Sequence, residues 1–188
     1  MSSAASCSPP RCTPTTRSDE TVSVAPVDVT AKSRIGRAVQ KVAGSAVFAK
    51  VAPPIVTTMD RVVYKLSGGR MILSRGVVPT LMLTTTGRKS GEPRLVPLAT
   101  MPVDGGLLVV ASNFGREKHP AWSANLMQEP KATVTFKGET YPVTARLLNE
   151  EEKKAVWPEL LKMWPNYDRY SERSGRDLRV FELVRAAG

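Results

Sequence analysis

The sequence predicts an α+β protein built on a β-barrel, and two observations support this fold class. From about residue 80 onward, short stretches rich in Val, Leu, Met and Thr alternate with turn residues, as in antiparallel strands. Helical stretches stand between some of these strands, without the regular strand–helix–strand repeat of a parallel sheet. The 188 residues, 41% hydrophobic and 23% charged, suffice for one soluble globular domain and a tail.

Three regions follow one another along the chain. Residues 1–32 are rich in Ser, Thr, Pro and Ala, and we expect disorder because so few large apolar side chains cannot offset the entropy of ordering. Residues 33–52 are predicted to form a basic amphipathic helix, because apolar side chains recur at helical spacing among lysines and arginines. Such a helix packs on the domain or lies on an anionic membrane surface, and both interpretations stay open. Residues 53–188 form the barrel domain.

The barrel domain begins with a predicted helix over residues 59–66, which ends at a Gly-Gly pair. Six strands are predicted, over residues 80–85, 95–101, 107–111, 131–136, 141–147 and 178–184. Two further helices are expected between them. One begins near Pro120, because the fixed φ of proline suits a first helical turn. The other begins at Asn149, whose side chain can cap a helix with three glutamates in its first turn.

Charge and rare residues restrict the classes of function. A net charge of +10 suggests an anionic partner: nucleic acid, anionic lipid or an anionic ligand. His119 is the only histidine, which excludes multi-histidine metal sites and disfavours a Ser-His-Asp hydrolase. Cys7 and Cys12 lie in the tail, so a disulfide framework is not expected and a cytosolic protein is the simplest interpretation. No apolar run reaches the roughly 18 residues of a membrane span, and no secretion signal is recognisable.

The loop of residues 86–94 is the first candidate binding site. Gly87 and Gly91 let the backbone turn tightly and approach a ligand closely. Its backbone amides, which we expect to be exposed, are surrounded by three cations and a hydroxyl: Arg88, Lys89, Arg94 and Ser90. Such donors suit a phosphate or carboxylate. A solvated basic hairpin loop explains the same residues equally well. The spacing fits neither a P-loop nor the glycine-rich turn of a nicotinamide site.

Two further segments could form a pocket. Residues 111–122 run from a strand end into a helix start, where a planar ring and its polar edge can bind. An ordinary connection with Trp122 in the core is the alternative, and we expect His119 at the surface rather than as a catalytic base. Residues 164–170 place Tyr167 and Tyr170 three apart, on one face of a helix. The two tyrosines either form a pocket wall or pack the C-terminal helix.

Four motifs in unbroken order carry a family resemblance. They are Leu-Thr-Thr-Thr-Gly-Arg-Lys-Ser-Gly-Glu-Pro-Arg (83–94), Val-Ala-Ser-Asn-x-Gly (110–115), Lys-His-Pro-Ala-Trp-x-x-Asn-Leu (118–126) and Trp-Pro-x-Tyr-x-x-Tyr (164–170). Over about residues 55–184 the chain resembles the deazaflavin-dependent nitroreductase and F420H2-dependent quinone reductase family. That resemblance implies a split β-barrel of the FMN-binding, pyridoxamine-phosphate-oxidase-like type with peripheral helices.

The resemblance also implies roles for individual residues. In that family the Gly-Arg-Lys loop holds the phosphate of coenzyme F420 and the start of its acidic glutamyl tail. The residues that would bind the coenzyme are Met82, Leu83, Thr84, Arg88, Lys89, Ser90, Gly91, Glu92, Pro93, Arg94, Val110, Ala111, Ser112, Asn113, Ala121, Trp122, Ser123, Ala124 and Asn125. Tyr167 would be catalytic, with Trp164 and Tyr170 as further walls of a substrate pocket. Departures from the family pattern at Asn113, Ser123 and Trp164 weigh against nitroimidazole reduction more than against quinone reduction.

The function implied is hydride transfer from reduced F420 to a quinone or nitro-aromatic acceptor, without a metal. An anionic coenzyme would account for the basic surface, and a membrane-dissolved quinone for the basic helix. The protein would then be cytoplasmic, with peripheral contact to the inner face of the cell membrane. The alternatives are a non-catalytic F420 carrier and an FMN-binding split-barrel protein. No nucleic-acid recognition motif supports a nucleic-acid partner. The sequence does not specify the oligomeric state.

Overall fold

The computed structural model describes residues 78–186, which form six strands and three α-helices. The strands are β1 (Thr80–Thr86), β2 (Pro93–Val103), β3 (Gly106–Val110), β4 (Lys131–Phe136), β5 (Glu139–Leu147) and β6 (Val180–Arg185). The helices are α1 (Ala121–Gln128), α2 (Glu150–Met163) and α3 (Asn166–Ser174), with a short 3₁₀ turn at Asn113–Gly115. The predicted tail and the predicted helices over 33–52 and 59–66 lie outside the described residues. No helix among residues 78–186 has the length and apolar character needed to cross a membrane.

The six strands close into an antiparallel barrel in the order β1-β2-β3-β6-β5-β4, and β4 pairs back onto β1. The predicted α+β barrel is therefore confirmed. Strand β2 changes partners along its length: residues 93–99 pair with β1 and residues 100–103 with β3. The β1–β2 hairpin places the loop of residues 87–92 at one end of the barrel. Closure leaves no long open edge in the sheet.

The barrel interior is filled by side chains from all six strands. Because side chains alternate along a strand, every second residue points inward. The fully or almost fully buried inward residues include Leu81, Leu83, Leu107, Val109, Val134, Val143, Phe181 and Leu183. Helix α1 adds Trp122 and Leu126 to this core, with the Trp122 ring 5.7 Å from that of Phe181. This shared core fixes α1 against the barrel, since each fully buried large apolar side chain contributes about 1.5–3 kcal/mol.

A second core lies between the outer face of the barrel and helices α2 and α3. Strands β2, β3 and β6 contribute residues such as Met101, Leu108 and Val180, and the helices contribute Leu160 and Tyr170. The predicted cap of α2 is confirmed: the side chain of Asn149 accepts a hydrogen bond from the backbone N–H of Glu152 at 2.8 Å, and the Glu152 carboxylate accepts one from the backbone N–H of Asn149. Helix α3 packs against the 3₁₀ turn that follows β3.

Candidate functional site

The loop between β1 and β2 is compact and internally hydrogen-bonded. The backbone N–H of Gly87 donates to the carbonyl of Glu92 at 2.8 Å, and the carbonyl of Gly87 accepts from the amides of Ser90 and Gly91. A Cβ atom at position 87 would lie 2.9 Å from the Ser90 Oγ and 3.0 Å from the Glu92 carbonyl oxygen. Gly91 has φ +70°, in the left-handed region. The two glycines therefore permit a turn that other residues would distort.

The backbone amides of this loop are used within the protein. Gly87, Ser90 and Gly91 donate to loop carbonyls, and the amide of Glu92 donates to the Ser90 Oγ at 3.3 Å. The amide of Arg88 donates to the side chain of Asn125. The sequence-based expectation that these amides are exposed donors is wrong for these five positions. These five amides are occupied, so the side chains and the amide of Lys89 are the donors left for an anion.

The side chains of the loop form a cationic surface. Arg88 and Lys89 are exposed, and within residues 78–186 neither side chain forms a hydrogen bond or ion pair. Arg94 donates from Nη2 to the Ser90 Oγ at 3.1 Å, which leaves its other N–H groups available. The Ser90 oxygen accepts two hydrogen bonds, so its O–H proton can still be donated outward. Guanidinium, ammonium and hydroxyl donors on one short loop suit a phosphate or carboxylate.

Asn125 connects this loop to α1. Its Oδ1 accepts a hydrogen bond from the backbone N–H of Arg88 at 3.2 Å, and its Nδ2 donates to the Thr85 Oγ1 at 3.0 Å. The side chain is buried, with 4% of its surface exposed. The residue was predicted to touch a ligand. In the structure both ends of its amide hold the protein chain, so Asn125 orients the loop.

The other predicted residues of α1 divide into buried and accessible groups. Trp122 is buried in the barrel core, as the alternative interpretation of the sequence held. Ser123 is fully buried and donates from Oγ to the carbonyl of Pro120 at 2.9 Å. Ala121 and Ala124 keep accessible surface. The first turn of α1 therefore presents two small side chains, Ala121 and Ala124, which leave room for a flat ring.

The three predicted residues of β1 also lie on different faces. Leu83 points into the barrel core and is fully buried, so its side chain is not available to a ligand. Met82 and Thr84 face the other side of the strand, and only Thr84 keeps appreciable exposure. A ligand on the outer face of β1 would thus meet Thr84, because Met82 is almost fully buried.

The segment after β3 forms a tight left-handed turn. The side chains of Val110 and Ala111 are buried in the two cores, whereas Ser112 and Asn113 are half-buried. Three consecutive residues have positive φ: Asn113 at 47°, Phe114 at 56° and Gly115 at 73°. The Asn113 Nδ2 donates to the carbonyl of Lys118 at 2.7 Å, which closes the turn. Such a run of left-handed residues needs support from the surrounding structure.

Arg176 provides that support. Its guanidinium donates to three carbonyls of the segment: Nη1 to Ala111 at 3.1 Å, Nη2 to Ser112 at 2.8 Å and Nε to Arg116 at 3.1 Å. A fourth hydrogen bond joins Nη1 to the His119 Nδ1 at 3.0 Å. Sequence reasoning missed Arg176, because an arginine in a polar stretch after α3 carries no local signal. Its partners are recognisable only once the chain has folded back on itself.

Comparison with known proteins decides the family. Residues 57–184 match the family described as F420H(2)-dependent quinone reductase. The chain belongs to this family. A Mycobacterium tuberculosis protein named F420H(2)-dependent quinone reductase is 28% identical over 118 residues, covering 58% of this chain and 76% of that protein. A solved structure described as an F420-H2 dependent reductase is 36% identical with a TM-score of 0.52, covering 56% of this chain and 93% of that one. Another, described as a domain-swapped dimer, is 33% identical with a TM-score of 0.55, covering 67% and 93%.

In this family member the predicted pocket aromatics lie in the outer core. Tyr167 and Tyr170 share one face of α3, as predicted, and are 3% and 1% exposed. The Tyr167 ring lies 6.2 Å from that of Trp157, and Trp164 is half-buried beside the cluster. Burial raises the pKa of the Tyr167 hydroxyl far above its usual value, and the neighbouring Tyr170 adds to the shift. The phenol is therefore protonated throughout the physiological pH range.

The Tyr167 hydroxyl forms no hydrogen bond within residues 78–186, and 3% of the residue's surface is exposed.

Contacts join the predicted segments in two pairs. The loop of residues 87–92 is joined to α1 through Asn125. The turn after β3 is joined to α3, because a Cβ atom at Gly115 would lie 3.0 Å from the Tyr170 Cα and the Phe114 and Tyr170 rings are 6.4 Å apart. The described residues contain no group of three or more His, Cys, Asp or Glu side chains that could hold a metal ion.

Proposed function

We propose that this chain binds the anionic portion of coenzyme F420 on the loop of residues 87–94 and reduces a quinone. Membership of the F420H(2)-dependent quinone reductase family makes the chain an F420H2-dependent oxidoreductase. The identity of the acceptor and the roles of individual residues are the proposal. The observation that carries it is the pair of exposed cations, Arg88 and Lys89, on a loop in which five backbone amides are already hydrogen-bonded.

The donor set of this loop fits the coenzyme. F420 bears a phosphate and a glutamyl tail, and both are anionic at neutral pH. The loop offers three cationic side chains and the Ser90 hydroxyl against one carboxylate, that of Glu92. Each charge-assisted hydrogen bond is worth about 1.5–3 kcal/mol net, so two or three of them would contribute about 3–9 kcal/mol to the binding free energy.

The remaining residues would position the ring system and the acceptor. The bound coenzyme, in its reduced form, supplies the hydride. Ala121 and Ala124 on α1 and Thr84 on the outer face of β1 offer surfaces without charge, which suit a planar ring. Ser112 and Asn113 would contact its polar edge. Tyr167, a neutral phenol, would orient an acceptor oxygen by donating a hydrogen bond or hold the proton that this oxygen receives.

The test uses the purified full chain. F420 is titrated by fluorescence, and menadione is then added to the complex with reduced coenzyme. Tight binding followed by rapid loss of reduced coenzyme supports the proposal. Binding without oxidation of the coenzyme indicates the carrier alternative, and a nitro-aromatic acceptor is tried in the same assay. Absence of F420 binding contradicts the assignment of the loop, and binding of FMN in the same titration would favour the FMN alternative.

We further propose that the predicted basic helix over residues 33–52 holds the protein at the inner face of the cell membrane, close to a lipid-soluble quinone. The proposal rests on the lysines and arginines among its apolar residues. Replacing Arg34, Arg37 and Lys41 with glutamine in the full chain should reduce sedimentation with anionic liposomes and leave F420 binding unchanged. Equal sedimentation of the variant and the unmodified protein would contradict membrane contact through this segment.

A further inference from the structure

The hydrogen bond between Arg176 and His119 determines which ring nitrogen of His119 carries the proton. A guanidinium group remains protonated in proteins and has donors only. The His119 Nδ1, which lies 3.0 Å from the Arg176 Nη1, must therefore accept this hydrogen bond with its lone pair. A neutral imidazole with an unprotonated Nδ1 carries its proton on Nε2. His119 is thus a neutral Nε2–H tautomer.

The charges around His119 favour the same neutral form. Burial of the ring, then the positive charge of Arg176 and then that of Arg179 lower the pKa of His119, while Asp177 opposes them. Asp177 is also paired with Lys153, which reduces its effect. A protonated imidazole would face two guanidinium groups and would lose the hydrogen bond from Arg176.

His119 lies at the entrance to α1, and α1 leads to the cationic loop. The next residue, Pro120, is the N-cap of the helix, and its carbonyl accepts hydrogen bonds from the backbone N–H and the Oγ of Ser123. One helical turn further on, Asn125 accepts from the backbone N–H of Arg88. Hydrogen bonds and one short helix thus connect Arg176 to both segments assigned to the coenzyme.

We propose that Arg176 is a positioning residue for the coenzyme site. Its guanidinium donates hydrogen bonds to the carbonyls of Ala111, Ser112 and Arg116 and holds His119 as the Nε2–H tautomer. These hydrogen bonds fix the turn after β3 and the start of α1. The proposal concerns residues that are not expected to touch the reacting atoms. The expected effect of Arg176 on coenzyme binding rests on the proposed function. The expected tautomer of His119 can be tested without any ligand.

The first experiment is long-range ¹H–¹⁵N correlation NMR on the full chain without coenzyme, near neutral pH. Because the chain has one histidine, a single imidazole pattern appears and needs no assignment. The expected pattern has a pyrrole-type Nε2 and a pyridine-type Nδ1. A proton on Nδ1, a rapidly averaged mixture of tautomers or an imidazolium would overturn the proposal.

The second experiment compares three variants by the same NMR pattern and by F420 titration. Arg176→Met removes every donor and should average the tautomers and raise the Kd for F420 at least about tenfold, equivalent to about 1.4 kcal/mol. Arg176→Lys retains the positive charge but lacks the planar guanidinium with its several N–H donors, so we expect a smaller rise in Kd. Arg179→Met is the matched control, because Arg179 lies near the same imidazole and its side chain forms no hydrogen bond within residues 78–186. It should retain the tautomer and change the Kd by less than about threefold.

The outcomes separate the two proposals. If the unmodified protein does not bind F420, the proposed function fails, while the NMR pattern still decides whether Arg176 locks His119. If the unmodified protein binds F420 and Arg176→Met binds equally well, Arg176 is not a positioning residue. Equal losses of F420 affinity in Arg176→Met and Arg179→Met would also overturn the proposal, since the removal of one positive charge would explain both. If Arg176→Met does not fold, as judged by circular dichroism, Arg176→Lys and the NMR pattern of the unmodified protein carry the test.

Discussion

The side-chain oxygen of Asn125 lies 3.2 Å from the backbone nitrogen of Arg88, and the side-chain nitrogen of Asn125 lies 3.0 Å from the Thr85 hydroxyl. One buried amide thus fixes the end of β1 and the start of the cationic loop to α1. A conformational change of this loop requires that at least one of these hydrogen bonds be broken. The affinity for an anion on the loop should therefore depend on Asn125.

Replacing Asn125 tests this dependence. Asn125→Leu keeps the branching at Cγ but removes both hydrogen bonds, so the buried Thr85 hydroxyl and the Arg88 amide lose their partner. We expect a loss of about 1–3 kcal/mol in the free energy of unfolding and weaker F420 binding. Urea denaturation and fluorescence titration measure the two effects. Gln128→Leu, on the exposed end of the same helix, is the control. Unchanged F420 affinity in a folded Asn125→Leu variant would contradict the anchoring role.

Gly87 should not tolerate a side chain. An added Cβ atom would lie 2.9 Å from the Ser90 Oγ and 3.0 Å from the Glu92 carbonyl oxygen, so the loop would have to shift. Gly87→Ala is expected to weaken F420 binding about tenfold or more, equivalent to at least about 1.4 kcal/mol. Gly138→Ala is the comparison: it lies in the β4–β5 turn at φ +89° with no atom near the added Cβ, so only stability should fall. Binding by Gly87→Ala equal to that of the unmodified protein would show that the loop geometry is not required.

Neutralising Arg88 and Lys89 should reduce affinity without reducing stability. Both side chains are exposed and make no hydrogen bond or ion pair within residues 78–186. Each Gln variant should weaken F420 binding by about 1.5–3 kcal/mol and leave thermal unfolding within about 0.5 kcal/mol of the unmodified protein. The salt dependence of the Kd should also become shallower. Lys154→Gln, an exposed lysine on α2, controls for net charge. An equal loss of affinity in that variant would indicate a general charge effect.

The Tyr167 hydroxyl should matter for turnover more than for folding. Because it has no hydrogen-bond partner within the described part of the chain, Tyr167→Phe should change the free energy of unfolding by less than about 0.5 kcal/mol. If the phenol assists the acceptor, kcat with menadione should fall while the Kd for F420 stays constant. The raised pKa also predicts no decline of rate from its ionisation at moderately alkaline pH. Full turnover by both Tyr167→Phe and Tyr167→Ala would exclude a role of Tyr167 in assisting the acceptor. Tyr141→Phe is the control.

His119 should make stability depend on pH in a known direction. Its folded-state pKa is lowered from 6.5, so near and below that pH the unfolded chain binds more protons than the folded one. The stabilisation is therefore complete above about pH 6.5 and is lost as the pH falls toward the lower folded pKa. Urea titrations on both sides of this window should show a smaller pH dependence for His119→Gln than for the unmodified protein. An equal or larger dependence in the variant would contradict the lowered pKa.

The sequence by itself determined the strands, the helix starts and the cationic loop, since these depend on local properties. Alternating apolar residues, the glycines at 87 and 91, Pro120 and the Asn149 cap each act through neighbours a few residues away. The four motifs also sufficed to indicate the family. The predicted tail and basic helix lie outside the described residues and stay predictions.

Only the tertiary structure decided which side chains are available to a ligand. The motif residues Leu83, Trp122 and Ser123 are buried, and the burial of each depends on strands and helices distant in sequence. Four of the loop amides donate within the turn and that of Arg88 donates to Asn125, and neither arrangement could be inferred from spacing. Arg176 lies 57 positions from its partner His119, and neither residue shows locally that the other will be near. Hydrogen bonds are directional and short in range, so the roles of Asn125 and Arg176 exist only after the barrel and its helices have packed.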